Sequence, residues 1–352
     1  MPVAFMPDAL PASYILPLRR QQPERSVAFT AYLRWLARRV DLIVVDGSPP
    51  GVFAEHAAAW GRYGRHLAVD PDLITPNGKV GGVLTGVRHA RHERLVLADD
   101  DVRYDAAGLR RVVGLLDDAH VVRPQNYFDP LPWHARWDTG RILLNRMLGG
   151  DWPGTLAVRR SALLATGGYD GTALFENLEL VRTVVAAGGV ERLAPDLFVR
   201  RLPPTARHFG SQRTRQAYDE FARPLRLAAA LSVVPLVAGL ALHGRWKTLA
   251  AAAGAVAAVA ELGRRRDGGR SVFGPTAALW APAWVAERGV CAWLALGMRL
   301  AFGGVPYRDS VLRRAATPPA VLRRRMEAQG VRLGPPAAAV PQAGAAKEKR
   351  LA

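Results

Sequence analysis

Three consecutive carboxylates, Asp99, Asp100 and Asp101, close an apolar run of strand length, Leu95-Val96-Leu97-Ala98. Adjacent like charges repel, so stacking them where a chain leaves a sheet points to a cation held in common. Hard divalent cations such as Mg²⁺ or Mn²⁺ favour oxygen ligands and bridge carboxylates to substrate phosphates. The chemistry this predicts is work on a phosphorylated substrate. The alternative is a solvated acidic turn that leads into a helix capped by Asp105.

The elements needed to present such a site can be read from the apolar pattern. Ser13-Tyr14-Ile15-Leu16-Pro17-Leu18, Asp41-Leu42-Ile43-Val44-Val45-Asp46, His66-Leu67-Ala68-Val69, Leu95-Val96-Leu97 and His120-Val121-Val122 read as strands. Residues 27–39, 53–62, 79–91 and 107–116 have apolar residues at helical spacing. Short apolar strands alternating with helices predict an α/β fold with a mostly parallel sheet covered on both faces. Ligands of such sheets bind beyond the carboxyl ends of the strands, where Asp46 and Asp99 to Asp101 fall.

The chain of 352 residues carries a net charge of +18. The excess is mostly arginine, clustered beside apolar C-terminal segments as in Arg264-Arg265-Arg266, Arg313-Arg314 and Arg323-Arg324-Arg325. Basic clusters of this kind favour a membrane surface. Aromatic-basic interleaving and zinc-finger spacing are absent from the sequence, so nucleic acid is not expected as a partner. The single cysteine, Cys291, excludes an intramolecular disulfide.

Residues 227–244 contain no Lys, Arg, Asp or Glu, and 248–260 form a second uncharged, Ala-rich run. A bilayer span takes about 20 apolar residues, so residues 227–262 are expected to form a membrane hairpin, with a buried hairpin of a soluble domain as the alternative. Residues 271–298 are Trp-rich and interrupted by Pro275, Pro282 and Glu287-Arg288. That pattern suits an interfacial or broken helix. The expected organisation is a cytoplasmic domain over 1–222, a membrane region over 223–312 and a disordered basic tail over 313–352. Residues 1–17 lack a signal-peptide pattern, which predicts a cell-membrane protein whose catalytic domain faces the cytoplasm.

The motifs stand in a telling order: Val44-Val45-Asp46-Gly47-Ser48, Gly78-Lys79, Asp99-Asp100-Asp101, Gly154-Thr155-Leu156-Ala157-Val158, Gly167-Gly168-Tyr169-Asp170, Glu176-Asn177-Leu178-Glu179 and Gln212-Arg213-Thr214-Arg215. In this order the chain, over about residues 12–310, resembles the membrane-anchored family 2 glycosyltransferases of the GT-A fold. The resemblance implies transfer of one sugar, with inversion, from a nucleotide-sugar donor to a lipid-linked or cell-envelope glycan acceptor. It implies that Asp99 and Asp101 hold a divalent cation and that Asp46, Lys79, Asp99, Asp100, Gln212 and Arg215 bind the donor. Asp46 matches an aspartate that contacts the nucleobase, although an Asp before Gly also starts turns unaided. A Lys at a helix N-terminus opposes the helix dipole, which favours a role for Lys79 near phosphates.

Inverting transfer needs a carboxylate to take the acceptor's proton. The family's Glu-Asp pair falls on Glu176-Asn177, and an amide cannot serve. Glu176 is the first candidate base and Glu179, one helical turn on, the second. The competing expectation is a catalytically impaired membrane scaffold of a glycan assembly complex. Gln216 stands where the family places a Trp that contacts growing polymers, which argues against a processive synthase. Gly303 to Arg308 resembles the segment that follows the last membrane element in lipid-directed members.

Overall fold

The computed structural model describes residues 9–307 and 310–336. Eight strands form one sheet: β1 (Ala12–Leu18), β2 (Asp41–Asp46), β3 (Arg65–Leu67), β4 (Arg94–Ala98), β5 (Val102–Arg103), β6 (Val121–Phe128), β7 (Thr155–Arg159) and β8 (Glu191–Arg201). Their spatial order is β3-β2-β1-β4-β7-β6-β8-β5. The first four follow the expected parallel pairing. The expectation of a mostly parallel sheet needs correcting beyond them. β7 runs antiparallel to both β4 and β6, and β5 antiparallel to β8. The sheet is therefore mixed. Parallel strands require a crossover between them, whereas an antiparallel insertion turns the chain back locally.

Helices α1 (Val27–Ala37), α2 (Pro50–Trp60), α3 (Gly78–His89), α4 (Ala106–Gly114), α5 (Trp133–Met147), α6 (Arg160–Ala165), α7 (Glu176–Ala186) and α8 (Ala206–Tyr218) complete this part of the chain. Ser26 caps α1 and Asp105 caps α4 by accepting from Gly108 N at 2.6 Å. Alternate residues of each central strand face opposite sides. Tyr14, Leu16, Leu42, Val44 and Val96 bury against α1 and α4 residues such as Leu33 and Leu109. Ile15, Ile43, Val45, Leu95 and Leu97 bury against Val80, Val83 and Val87 of α3 and Leu180, Val181 and Val184 of α7. The strand ends carrying Asp46 and Asp99 are thus fixed by a core on both faces.

After residue 222 come α9 (Pro224–Leu242), α10 (Trp246–Arg265), α11 (Ala281–Phe302), the hairpin of β9 (Val305–Tyr307) and β10 (Ser310–Leu312), and α12 (Pro319–Ala328). α9 and α10 form a helical hairpin, which holds at its base to the sheet domain. α10 crosses α5 with backbone nearly touching backbone, and a Cβ on Gly263 would lie 2.0 Å from Leu143 O. Arg146 of α5 donates from Nε to Gly263 O at 3.0 Å. Of these helices α9 alone, among the described residues, is long and apolar enough to cross a membrane, with mean hydropathy 2.1 and only 6% of it buried.

The expected tail boundary also changes. Residues 319–328 form a helix that packs on α7 through Leu322 and Met326, because those apolar residues fall on one helical face. Just before it, Arg314 and Ala315 accept hydrogen bonds from Leu174 and Phe175 backbone N–H groups at 2.9 and 2.8 Å. The chain therefore returns from helices α9–α11 to the sheet domain. The part of the expected tail over 337–352 lies outside the described residues, as does Arg308.

Candidate active site

The three aspartates meet three different cations. Asp99 N donates to Gly154 O at 2.8 Å and Val102 N to Asp99 O at 3.1 Å, so the chain turns tightly from β4 into β5. β5 pairs Val102 with Arg201 at the end of β8. Arg201 Nε then donates to Asp101 Oδ2 at 2.9 Å, and its Nη2 lies 3.4 Å from Asp99 Oδ2. Lys79 Nζ sits 2.5 Å from Asp99 Oδ1 and 2.7 Å from Glu176 Oε1. Arg20 pairs with Asp100 at 2.5 Å. The repulsion evident in the sequence is met by basic side chains from three separate parts of the chain.

The set fits a hard divalent cation. Asp99 and Asp101 already converge on one cationic group, and Asp101 Oδ1 is a buried acceptor with no partner. Burial pushes the Asp101 carboxyl up, against the pull of Arg201 and with the help of Asp99. A positive charge at that oxygen would be stabilised. Gly154 keeps the approach open, since a Cβ there would lie 2.7 Å from Asp99 Oδ2 and 3.1 Å from Arg201 Cζ.

Lys79 reaches this cluster because α3 starts where it does. Asn77 caps α3 and donates from Nδ2 to Ala173 O at 2.9 Å, fastening the helix start to the loop before Glu176. Burial works against the ammonium, but Asp99 and Glu176 more than compensate and hold its pKa up.

Asp46 is buried, at 2% exposure, beneath two histidines. Its carboxylate accepts from Ser48 N at 2.9 Å, His56 Nδ1 at 2.7 Å and His66 Nε2 at 3.1 Å. Burial alone would raise its pKa, but hydrogen bonds from His66, Ser48 and His56 hold it at about 2. The three ligand atoms lie within 4.8 Å of one another, a spacing that a metal ion could share. Glu24 N donates to His56 Nε2 at 2.9 Å, which puts that ring's proton on Nδ1, facing Asp46. Hydrogen bonds therefore account for the cluster. They also tie the turn to the aspartates: Arg20 N donates to Ser48 Oγ at 2.9 Å, and the Arg20 side chain holds Asp100.

Glu176 and Glu179 separate. Glu176 faces Lys79. Glu179 is fully buried and accepts from Thr317 N at 2.6 Å, so it fastens the returning C-terminal segment. Asn177 Nδ2 donates to Pro153 O at 2.9 Å. Glu179→Ala is expected to leave the buried Thr317 N–H unpaired, at a cost of about 1–3 kcal/mol. Hydrogen exchange across Pro319–Ala328 checks this: protection equal to the parent's would show that Glu179 does not hold the segment.

Beside the aspartates opens a cavity of ≈ 280 Å³, lined by Asp101 and Arg201 together with Gln212, Arg215, Gln216, Asp219, Arg223 and Arg288 among others. Gln212 and Arg215 of the expected donor set thus line the same space as Asp101. Arg215 lies 5.0 Å from the centre of the Tyr307 ring, so the β9 segment closes over it. Asp219, in the 3-10 turn that follows α8, makes no side-chain hydrogen bond or ion pair among the described residues. Burial raises its pKa to about 7, Arg215 opposes the rise and Glu176 adds to it, with Arg288 and Arg223 also opposing. Asp219, Arg201, Arg223 and Arg288 were not among the residues expected from the sequence. The available signals were a basic strand end, an acidic pair just after Gln-x-x-Arg, and a charged pair inside an apolar helix.

No family model matches the chain, and no curated protein matches it. Among solved structures, it is similar to a mannosyltransferase from Pyrobaculum calidifontis in complex with GDP-Man and Mn²⁺, at 18% identity and TM-score 0.47, over 83% of this chain and 90% of that one. It is also similar to glucosyl-3-phosphoglycerate synthase from Mycobacterium tuberculosis in complex with Mn²⁺, UDP-Glc and phosphoglyceric acid. There the identity is 16% and the TM-score 0.37, over 56% of this chain and 74% of that one.

Proposed function

We propose that the chain is a membrane-associated glycosyltransferase of the GT-A type and family 2. It moves one sugar from a nucleotide-sugar donor to a lipid-linked or cell-envelope glycan acceptor, with inversion and with a divalent cation. The observation that carries this reading is the cluster of Asp99, Asp101, Lys79 and Arg201, two of which, Asp101 and Arg201, line a cavity that also holds Asp219, a carboxylate with no hydrogen bond or ion pair among the described residues. The donor classes and Mn²⁺ named for the similar solved structures are of the kind such a site would take.

Asp99 and Asp101 would hold the cation, which when bound offsets the negative charge growing on the leaving diphosphate. Lys79 and Arg201 fix both carboxylates and add positive charge around the phosphates. Arg215, which makes no ion pair among the described residues, is free to meet the leaving group. Asp46 serves as a positioning residue through Ser48, Arg20 and Asp100. Displacement needs an acceptor hydroxyl behind the anomeric carbon and a base to take its proton. Glu176 is already paired with Lys79 and Glu179 is sealed under Thr317. Asp219 has open lone pairs and is influenced by both Glu176 and arginines that line the same cavity. The acceptor oxygen bonds to the anomeric carbon, the bond to the diphosphate breaks, and the proton passes to an Asp219 carboxylate oxygen. A free base in the cavity favours an active enzyme over a scaffold. Measuring nucleoside diphosphate release from a panel of nucleotide sugars tests the reading, since a scaffold would release none.

Membrane association is supported by the α9–α10 hairpin. α9 has 19 residues, a length of about 28 Å that suits a bilayer core. Leu225 and Leu242, at its two ends, are 88% and 86% exposed. Pro235 lies inside the helix, a placement better tolerated in membranes than in water. Arg264 and Arg265 close α10 on the side held by α5, which suits a cytoplasmic sheet domain. The full chain is expected to sediment with membranes and to require detergent for release. Recovery in the soluble fraction without detergent would make the hairpin an ordinary surface feature.

A further inference from the structure

Three residues that line the cavity carry buried donor atoms without a hydrogen-bond partner. Arg288 is 5% exposed, yet its Nε and Nη1 have no hydrogen-bond partner. Arg223 Nε and Trp284 Nε1 are in the same condition, and all three residues line the cavity. A buried unpaired donor costs free energy, and four of them on three residues that line one cavity point to a site for an acceptor-rich ligand. The Trp284 ring, whose centre lies 4.9 Å from Arg288 Cζ, helps hold the guanidinium in place. Guanidinium forks pair best with planar or tetrahedral oxyanions, and phosphate offers oxygens to several donors at once.

These donors are distinct from the cations around the aspartates. The charges acting on Arg288 are those of Glu220, Arg213, Glu287 and Asp219, whereas those acting on Arg201 are Asp101, Asp99 and Arg141. Asp219 is common ground: it feels the charge of Glu176 as well as those of Arg288 and Arg223, and it lines the cavity with both arginines. A ligand whose anion sits on Arg288 therefore lies in the same cavity as Asp219.

We propose that the acceptor carries a phosphate group, bound by Arg223, Arg288 and the indole N–H of Trp284. The inference rests on reading the cavity as the acceptor side of a sugar-transfer site. The phosphate acts as a handle that sets the acceptor hydroxyl beside Asp219. Its source is either a lipid phosphate or a soluble phosphomonoester. α9 begins immediately after Arg223, and α11 bears Arg288 on its buried side and exposed Trp293 and Leu294 on the other, so an acyl or prenyl tail has an apolar exit.

Binding of inorganic phosphate to the full chain in detergent, followed by calorimetry, tests the site. Arg288→Met and Arg223→Gln are each expected to weaken it about 10- to 100-fold, the loss of one or two charge-assisted hydrogen bonds. Arg288→Lys should recover part of the affinity. Asp101→Asn should not weaken phosphate binding, because it removes a negative charge from the cavity wall. Thermal unfolding separates a folding defect from a binding defect, and Arg223→Gln carries the test should Arg288→Met fail to fold. Phosphate binding lost in Asp101→Asn but kept in both arginine variants would overturn the proposal, because the anion would then belong to the donor site. Absence of phosphate binding by the parent would overturn it as well. Neither result depends on sugar transfer, so a failure of the enzymatic reading shows separately, as absent donor turnover. Dodecyl phosphate binding more tightly than glycerol 3-phosphate assigns the lipid source, and the reverse order assigns the soluble one.

Discussion

Asp219→Asn is expected to bind donor as the parent does and to transfer sugar about 10²–10⁴-fold more slowly. The substitution keeps the shape of the side chain and removes only its ability to accept a proton. The pH profile separates this role from a structural one. Burial lifts the Asp219 carboxyl to about 7, Glu176 adds to the rise, and Arg215, Arg288 and Arg223 pull against it. A base works only when ionised. The rate of the parent should therefore climb about tenfold per pH unit below 7 and level off above it. In Asp219→Asn that limb should vanish, leaving a low and flat rate. A variant that keeps the parent's limb and rate would return the search for the base to Glu176.

Asp101→Asn is expected to abolish the cation dependence of donor binding and to reduce transfer on the order of 10³-fold or more, since several kcal/mol of charge stabilisation at the leaving group would go with the cation. Asp99→Asn should behave alike, and it also releases Lys79, which Asp99 and Glu176 share. Asp100 faces Arg20 instead, so Asp100→Asn should cost far less. The contrast among three adjacent aspartates is the informative quantity. Equal losses at all three positions would mean a general collapse of the turn, and a full rate in Asp101→Asn would remove the cation from this site.

The half of the sheet that holds the aspartates was legible because β1, β2 and β4 bury apolar residues on both faces and the helices between them return the chain to the same parallel layer. Ser13–Leu18 and Asp41–Asp46 fall within or on β1 and β2. The antiparallel strands were not legible. β8 reads as a charged, interrupted stretch, Glu191 to Arg201, half exposed along much of its length, so no apolar period marks it. Its last residue, Arg201, nevertheless completes the cluster. Asp99 and Lys79 stood out by position in local motifs. Asp219 and Arg288 owe their interest to neighbours far away in sequence, and only the folded chain brings Glu176, Arg223 and Arg288 around one carboxylate. Glu179 illustrates the converse. One helical turn from Glu176 suggested a shared site, but the turn carries it under Thr317, away from the cavity.

The most direct test is calorimetric titration of the purified full chain with nucleoside diphosphates and nucleotide sugars, with Mn²⁺ present and then after chelation, in the parent and in Asp101→Asn. The expected result is binding of at least one nucleoside diphosphate and its sugar conjugate that needs the cation and disappears in the variant. Binding that survives both chelation and Asp101→Asn, or no binding of any nucleotide with Mn²⁺ present, would contradict a cation-dependent donor site at Asp99 and Asp101.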